Sequence, residues 1–258
     1  MNFRNIAAVV IGAMLACLAL VIYDSRQTPA DLVVDINLKT VKEIYTYARD
    51  KVYMITNAQG GGGTGFRAQA PGKKKVIVTN FHVCHGSDGF MNISNTFLRI
   101  AARPARILAR DAVVDTCLLE EVDQTLPALT VDVAALEPGD DVLQVGHGRL
   151  ESLTVHVGHY RERKRIDIKW FDDACDAAHT KKKTVDTFFG PVEICVASFD
   201  ALDLALVIFP GNSGSPMLDR AGHVRGLMFA GGANAAGAQP ADLLLSALAR
   251  LSPDVSAP

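Results

Sequence analysis

From Val52 to Phe229 the chain is built of short apolar or alternating runs. They are Val52–Thr56, Val76–Thr79, Thr96–Ile100, Ala105–Ala109, Thr116–Val122, Val142–Val145, Leu153–Val157, Val192–Ala197, Leu204–Phe209 and His223–Phe229. Clusters of Gly, Asn, Asp and Pro part them, a rhythm that predicts an all-β sandwich or barrel. Helical periodicity occurs at two places. Leu38, Val41, Ile44, Tyr45 and Ala48 share one face before the first run, and Leu243, Leu244, Leu248 and Leu251 share another after Pro240, a residue suited to a helix start. With 49% apolar and 21% charged residues the chain has material for real cores and is not a disordered sequence. Its 26 basic and 28 acidic residues leave a net charge of −2, so no basic field points to nucleic acid. Five cysteines in 258 residues are too few for a disulfide-built miniprotein.

Residues Ile6 to Tyr23 form an uncharged apolar run preceded by Arg4. As a helix it would be about 27 Å long, close to the hydrocarbon thickness of a bilayer. The basic residue on its N-terminal side predicts that everything after Tyr23 lies outside the cytoplasm. An uncleaved anchor and a cleaved signal peptide are both consistent with this run. Its length favours the anchor, whereas Thr28-Pro29-Ala30 offers a tolerable cleavage site. Either fate predicts an exported domain. Met14-Leu15-Ala16 is a poor lipobox, so Cys17 reads as a buried membrane cysteine.

Three segments carry the chemistry. Val76-IVTNFH-Val83 is a strand running into His82, Asp111-AVVDTCLL-Glu120 sets Asp115 at the mouth of an apolar strand, and Pro210-GNSGS-Pro216 holds Ser213 in a glycine-rich turn. Peptide hydrolysis by a serine needs a nucleophile, a base to deprotonate it and a group to orient the base. The chain order His…Asp…Ser is one of the orders in which that geometry occurs. Glycines around Ser213 let the N–H groups of Gly211 and Ser213 converge as an oxyanion hole, each donor contributing about 3–4 kcal/mol in the transition state.

On these segments, with GGGGTGF (60–66), GLMFAGG (226–232) and the helix after Gln239-Pro240, the chain resembles a trypsin-like serine peptidase of the chymotrypsin fold, nearest the bacterial HtrA-type branch. The likeness spans residues 40–251. It implies two antiparallel six-stranded-type β-barrels with a C-terminal α-helix, behind the N-terminal transmembrane or signal helix. The expected divisions are 1–30 as anchor and tether, 31–135 as the barrel carrying His82 and Asp115, and 136–258 as the barrel carrying Ser213 and the helix. Ser213 would be the nucleophile, His82 the base and then acid, and Asp115 its orienter. Phe229, Ala230 and Gly231 would pair with the substrate backbone, and Val207, six residues before the nucleophile, would floor the primary pocket. With apolar neighbours and no carboxylate nearer than Asp203, that pocket suits a small or medium apolar side chain.

Two departures from the family bear on activity. Ser215 stands where the family has Gly, and a positive φ there would strain it. Asn212 stands where digestive-type zymogens have an Asp that a buried N-terminal ammonium stabilises, so activity without N-terminal clipping is expected. HtrA proteins carry a C-terminal PDZ module, whereas only seven residues follow Leu251 here.

Other candidates have plainer readings. His82-Val83-Cys84-His85 lacks a second ligand pair at zinc-like spacing, so neither a metal nor another cofactor is expected. His147, His156, His159, His179 and His223 read as solvated or structural. Cys84 and Cys117 each lie two residues beyond a triad member, and both a disulfide and two buried thiols are open to them. Cys175 and Cys195 flank the Lys181–Lys183 loop and would form a loop-closing bridge in an oxidising compartment. The basic stretch Arg161-ERKRIDIKW reads as an edge hairpin with its charges outward. The function expected is an exported serine endopeptidase acting on protein or peptide substrates, with the membrane as a partner through the N-terminal helix. The alternative is a catalytically inactive barrel that binds peptides or a membrane-side partner through the same cleft, a reading that Ser215 and the 158–195 insertion keep open.

Overall fold

The β rhythm of the sequence is realised as two sheets, in which alternate residues of each strand serve different cores. The computed structural model describes residues 38–170, 181–187, 190–232 and 235–255. The apolar run 6–23 with Cys17, the tether, Cys175 and His179 lie outside the described residues, so the anchor and the Cys175–Cys195 bridge are not addressed by it. Among the described residues no helix is long and apolar enough to cross a membrane.

Helix α1 (Val41–Ala48) begins at a capping box in which the Thr40 hydroxyl accepts from the Glu43 N–H and the Glu43 carboxylate accepts from the Thr40 N–H. Six strands follow: β1 (Val52–Thr56), β2 (Gly62–Ala68), β3 (Val76–Thr79), β4 (Phe90–Asn95), β5 (Ile100–Asp111) and β6 (Thr116–Glu120). They close a barrel in the order β1-β2-β3-β6-β5-β4, and a single turn of helix, α2 (Phe81–Cys84), leaves the end of β3. The second sheet holds β7 (Asp141–Gly146), β8 (Thr154–Trp170), β9 (Lys181–Thr187), β10 (Gly190–Ala205), β11 (Pro216–Leu218), β12 (Val224–Gly231) and β13 (Ala236–Pro240). Its order is β13-β12-β11-β7-β8-β10-β9, and a further pairing of β13 with β10 joins the sheet back on itself, leaving β9 outside the ring. Helix α3 (Ala241–Leu251) starts from Pro240 and buries Leu244, Ala247 and Leu248.

Side-chain alternation assigns the cores. Tyr53, Ile55, Ile77, Cys117 and Leu119 fill the first barrel, whereas Val142, Leu202, Leu204, Met217 and Met228 fill the second ring. The intervening positions, Phe66, Val78, Leu118, Leu143, Val145 and Leu227, share a third cluster with Ile44, Leu244 and Leu248, so both helices seal the seam between the sheets.

The strands differ from the sequence expectation at several places, among them Lys181–Lys183, expected as a loop and found at the start of β9, where pairing with β10 extends the chain. Residues 96–99 form a turn, not a strand, because the buried Asn95 side chain accepts from the Leu98 N–H and reverses the chain through Arg99 at φ 55°. Val192–Ala197 and the start of Leu204–Phe209 belong to one strand, β10, which pairs along the 17-residue β8. The basic stretch lies on β8, and its charges are met by acids of neighbouring elements. Lys164 lies 3.0 Å from Asp203, Arg163 3.0 Å from Asp242 and Arg165 3.5 Å from Asp200.

One end of the first barrel is closed by a buried ionic network. Arg67 donates from Nε to Glu121 (2.9 Å) and from Nη1 to the Pro127 carbonyl (2.9 Å), and the Tyr53 hydroxyl donates to the same Glu121 carboxylate (2.8 Å). Across the barrel, Cys84 on α2 and Cys117 on β6 are joined by a disulfide, both residues being fully buried. Glu121→Ala strands the Arg67 charge and is expected to lower unfolding free energy by about 3–5 kcal/mol in urea titration. Cys84→Ala/Cys117→Ala opens a crosslink of sequence separation 33 and is expected to cost roughly 3–4 kcal/mol in the same assay. An unchanged midpoint in either variant would mean that strand pairing alone sets the stability.

Candidate active site

His82 sits in the first turn of α2, where β3 gives way to helix at Asn80. Asp115 occupies the residue before β6, is 1% exposed and adopts a left-handed backbone (φ 52°) that Asp tolerates better than most residues. The preceding turn is shaped by Asp111, whose carboxylate accepts from the Val113 N–H at 2.9 Å. Two bonds then tie Asp115 to the histidine segment by the main chain. The Asn80 amide donates to the Asp115 carbonyl at 3.0 Å, and the His82 N–H donates to the carboxylate at 3.1 Å.

The side chains complete the pair: His82 Nδ1 lies 2.9 Å from Asp115 Oδ2 and 3.2 Å from Oδ1. A carboxylate facing Nδ1 selects the tautomer with its proton there, which makes Nε2 the basic nitrogen. Burial pushes the His82 pKa down, but the charge of Asp115 and its hydrogen bond push it up, and the net position is above the ordinary value for histidine.

Ser213 belongs to the second sheet, in the turn that leads into β11, yet the first barrel helps to hold it. The Thr64 N–H donates to the Ser213 carbonyl (2.8 Å), and the Thr64 hydroxyl donates to the Gly211 carbonyl (2.8 Å). The neighbouring Gly63 lies between that turn and α2: a Cβ there would come within 2.6 Å of the Ser213 carbonyl oxygen and 2.8 Å of Val83 Cγ2. The structure thus brings the segment after His82 and the segment around Ser213 to the two sides of one glycine. The Ser213 hydroxyl lies 3.5 Å from the Phe229 carbonyl.

Positive φ falls on Gly211 (95°) and Gly214 (84°), and Ser215 is not among the positive-φ residues. The strain considered for Ser215 is therefore absent. At Gly214 a side chain would run into Thr64 and Thr79, so only glycine fits. Among the described residues neither the Gly211 nor the Ser213 N–H donates to a backbone acceptor.

Phe229, Ala230 and Gly231 end β12. Ala230 and Gly231 pair with β13, whereas β11 pairs only as far as Leu227, so this stretch keeps one strand edge open. Val207 is 40% exposed, not enclosed. The buried side chain beside the strand is that of Ile208, which lies directly against the face of Gly231. Among the described residues, four further histidines have structural partners: His147 Nδ1 meets the Glu151 carbonyl at 2.8 Å, His159 meets Asp141 at 3.1 Å, His223 lies 3.5 Å from Asp132, and His156 stacks edge-on against Phe209.

Sequence reasoning missed Thr64, Asn80 and Gln144 as supports of this site. The Gln144 signal was present, a lone amide within the apolar run of β7. Thr64 acquires meaning only across the sheet-to-sheet seam, and Asn80 only when β3 and β6 pair and set it against the Asp115 carbonyl.

Comparison with known proteins agrees with this architecture. The trypsin-like peptidase domain matches residues 63–227. A search of curated protein sequences finds no match. Among solved structures, the active form of the Rv3671c protease from M. tuberculosis has a TM-score of 0.63 at 20% identity, covering 83% of this chain and 86% of that one. The HtrA-type protease AlgW with tripeptide has a TM-score of 0.61 at 20% identity over 81% of this chain and 62% of that one. The serine endoprotease from Yersinia pestis has a TM-score of 0.60 at 17% identity, covering 83% and 66%. With the matched region spanning most of both sheets, the chain belongs to the trypsin-like peptidase domain family of serine peptidases.

Proposed function

We propose that the protein is an exported serine endopeptidase that cleaves peptide bonds through His82, Asp115 and Ser213. The observation that carries this reading is the buried Asp115 carboxylate, which accepts from both the main chain and the ring of His82. A structural histidine needs neither a strained, buried acid nor a second bond from its own backbone. In the reaction Ser213 Oγ attacks the scissile carbonyl while His82 Nε2 takes its proton. The Gly211 and Ser213 N–H groups stabilise the oxyanion, and Asp115 stabilises the imidazolium. His82 then protonates the leaving amine, and water hydrolyses the acyl-enzyme through the same base. The open edge at Phe229–Gly231 would receive the substrate as an added strand, and Ile208 beside Gly231 favours a small apolar side chain at the cleavage position. Export is supported by the 6–23 run and by the Cys84–Cys117 disulfide, since such bonds persist in oxidising compartments. The longer apolar run favours an anchor over a cleaved signal.

The test is labelling of the intact chain by a fluorophosphonate beside Ser213→Ala. Labelling of wild type without any N-terminal clipping, and none in the variant, is expected. Failure of a folded wild type to label would instead favour the peptide-binding reading. Because His82 must be neutral to act as base, kcat/KM should rise with pH through a midpoint above the ordinary histidine value of about 6.5. In Asp115→Asn the upward push is lost while burial still pushes down. That midpoint should therefore move to lower pH, and the plateau should fall by roughly three to four orders of magnitude. An unmoved midpoint would remove Asp115 from the mechanism.

A further inference from the structure

We propose that Gln144 is a positioning residue for the nucleophile turn, an uncharged clamp that holds the residues on both sides of Ser213; this rests on the reading of Ser213 as nucleophile. Gln144 lies on β7, on the face that carries Val142 into the core of the second ring, and is fully buried. Its Nε2 donates to the Ser215 hydroxyl at 2.8 Å and to Asn212 Oδ1 at 3.2 Å. Asn212 immediately precedes Ser213 and Ser215 follows it by two, and both are fully buried as well. One amide therefore grips the turn before and after the nucleophile.

The backbone is adapted to admit that contact. Gly146 lies two residues along β7 on the same face, and a Cβ there would run into both the Ser215 hydroxyl and the Gln144 amide. At Gly148 a Cβ would come within 3.3 Å of Asn212 Oδ1. A buried amide or hydroxyl without a partner costs free energy, so these bonds resist rotation of the 212 and 215 side chains and, through them, of the peptides between. Those peptides carry the Ser213 N–H assigned to the oxyanion. An aspartate at position 212 would require a buried cation. A neutral Asn212 is instead met by a neutral donor already present on β7, so the turn is organised when the sheet forms.

The clamp is tested in the full-length chain by Gln144→Met, which keeps the length and bulk of the side chain and removes the donor. The probe is a fluorophosphonate, with its maximal labelling rate and half-saturating concentration determined separately and folding followed by thermal unfolding. The expected result is a folded variant whose maximal rate is lower by on the order of 10²-fold at an unchanged half-saturating concentration. Adding Ser215→Gly distinguishes positioning from a simple burial penalty. If Gln144→Met acts only by stranding the Ser215 hydroxyl, the double variant regains the wild-type rate and the proposal falls. If Asn212 has lost its anchor, the double variant stays slow. A folded Gln144→Met with the wild-type rate also overturns the clamp. Should that variant not fold, Gln144→Ala is measured in its place with the same two readings. If wild type itself does not label, the peptidase reading fails, and the clamp is judged from the amide NMR signals of Gly211 and Ser213. Shifted or broadened signals in the variant support it, and unchanged ones overturn it.

Discussion

Two hydrogen bonds from Thr64 reach from the first barrel into a turn owned by the second sheet, and the candidate site depends on that seating. The Thr64 N–H and hydroxyl engage the carbonyls of Ser213 and Gly211, while Gly214 presses on Thr64 and Thr79 where only hydrogen leaves room. The contact is made of main chain and small side chains, so its distances are set by the backbone of β2 and not by flexible rotamers. A second tie crosses the same seam, where the Thr116 hydroxyl beside Asp115 donates to the buried Gln239 of β13 at 2.9 Å. The apolar cluster of Phe66, Val78, Leu118, Leu143 and Leu227 draws on strands of both sheets and packs them together.

Within that frame the His82–Asp115 pair and the turn around Ser213 are held by different physics. Asp115 is a charged, buried residue in a left-handed conformation, and it is retained by converging bonds from Asn80 and His82 and by the disulfide two residues on. Strain of this kind persists only where the surroundings over-determine it. The turn around Ser213 is instead held by neutral amides, and Gly211 and Gly214 accommodate its two left-handed steps. The ionic network of Arg67, Glu121 and Tyr53 lies apart from both, at one end of the barrel, and shares no residue with either.

Much of this was legible in the residue pattern. Val52–Thr56 and Val76–Thr79 emerged with the bounds read from alternation, as did the helix entered from Pro240. The motif around Ser213 announced its turn through its glycines. Less legible were β2 and β13, whose glycine and alanine content carries little strand propensity (both are strands because partners on each side pair with them). The turn at 96–99 was misread because Phe97, Leu98 and Ile100 suggest a strand, whereas the side chain of Asn95 ends it. Val207 was singled out by its offset from Ser213, but offset along a chain does not say which of two adjacent side chains is enclosed, and it is Ile208 that packs.

By itself the sequence determined the class of fold, the residues with the chemistry of a serine peptidase and their order, because these follow from periodicity, turn chemistry and side-chain type. Tertiary structure decided what converges. The bonding of Cys84 to Cys117, the left-handed setting of Asp115, the space at Gly63 and Gly146, and the grip of Gln144 on Asn212 and Ser215 arise only when the sheets close. All of these depend on residues distant in the chain, and their geometry is set by strand register and, at Gly63, by the approach of the two sheets, neither of which a local pattern encodes.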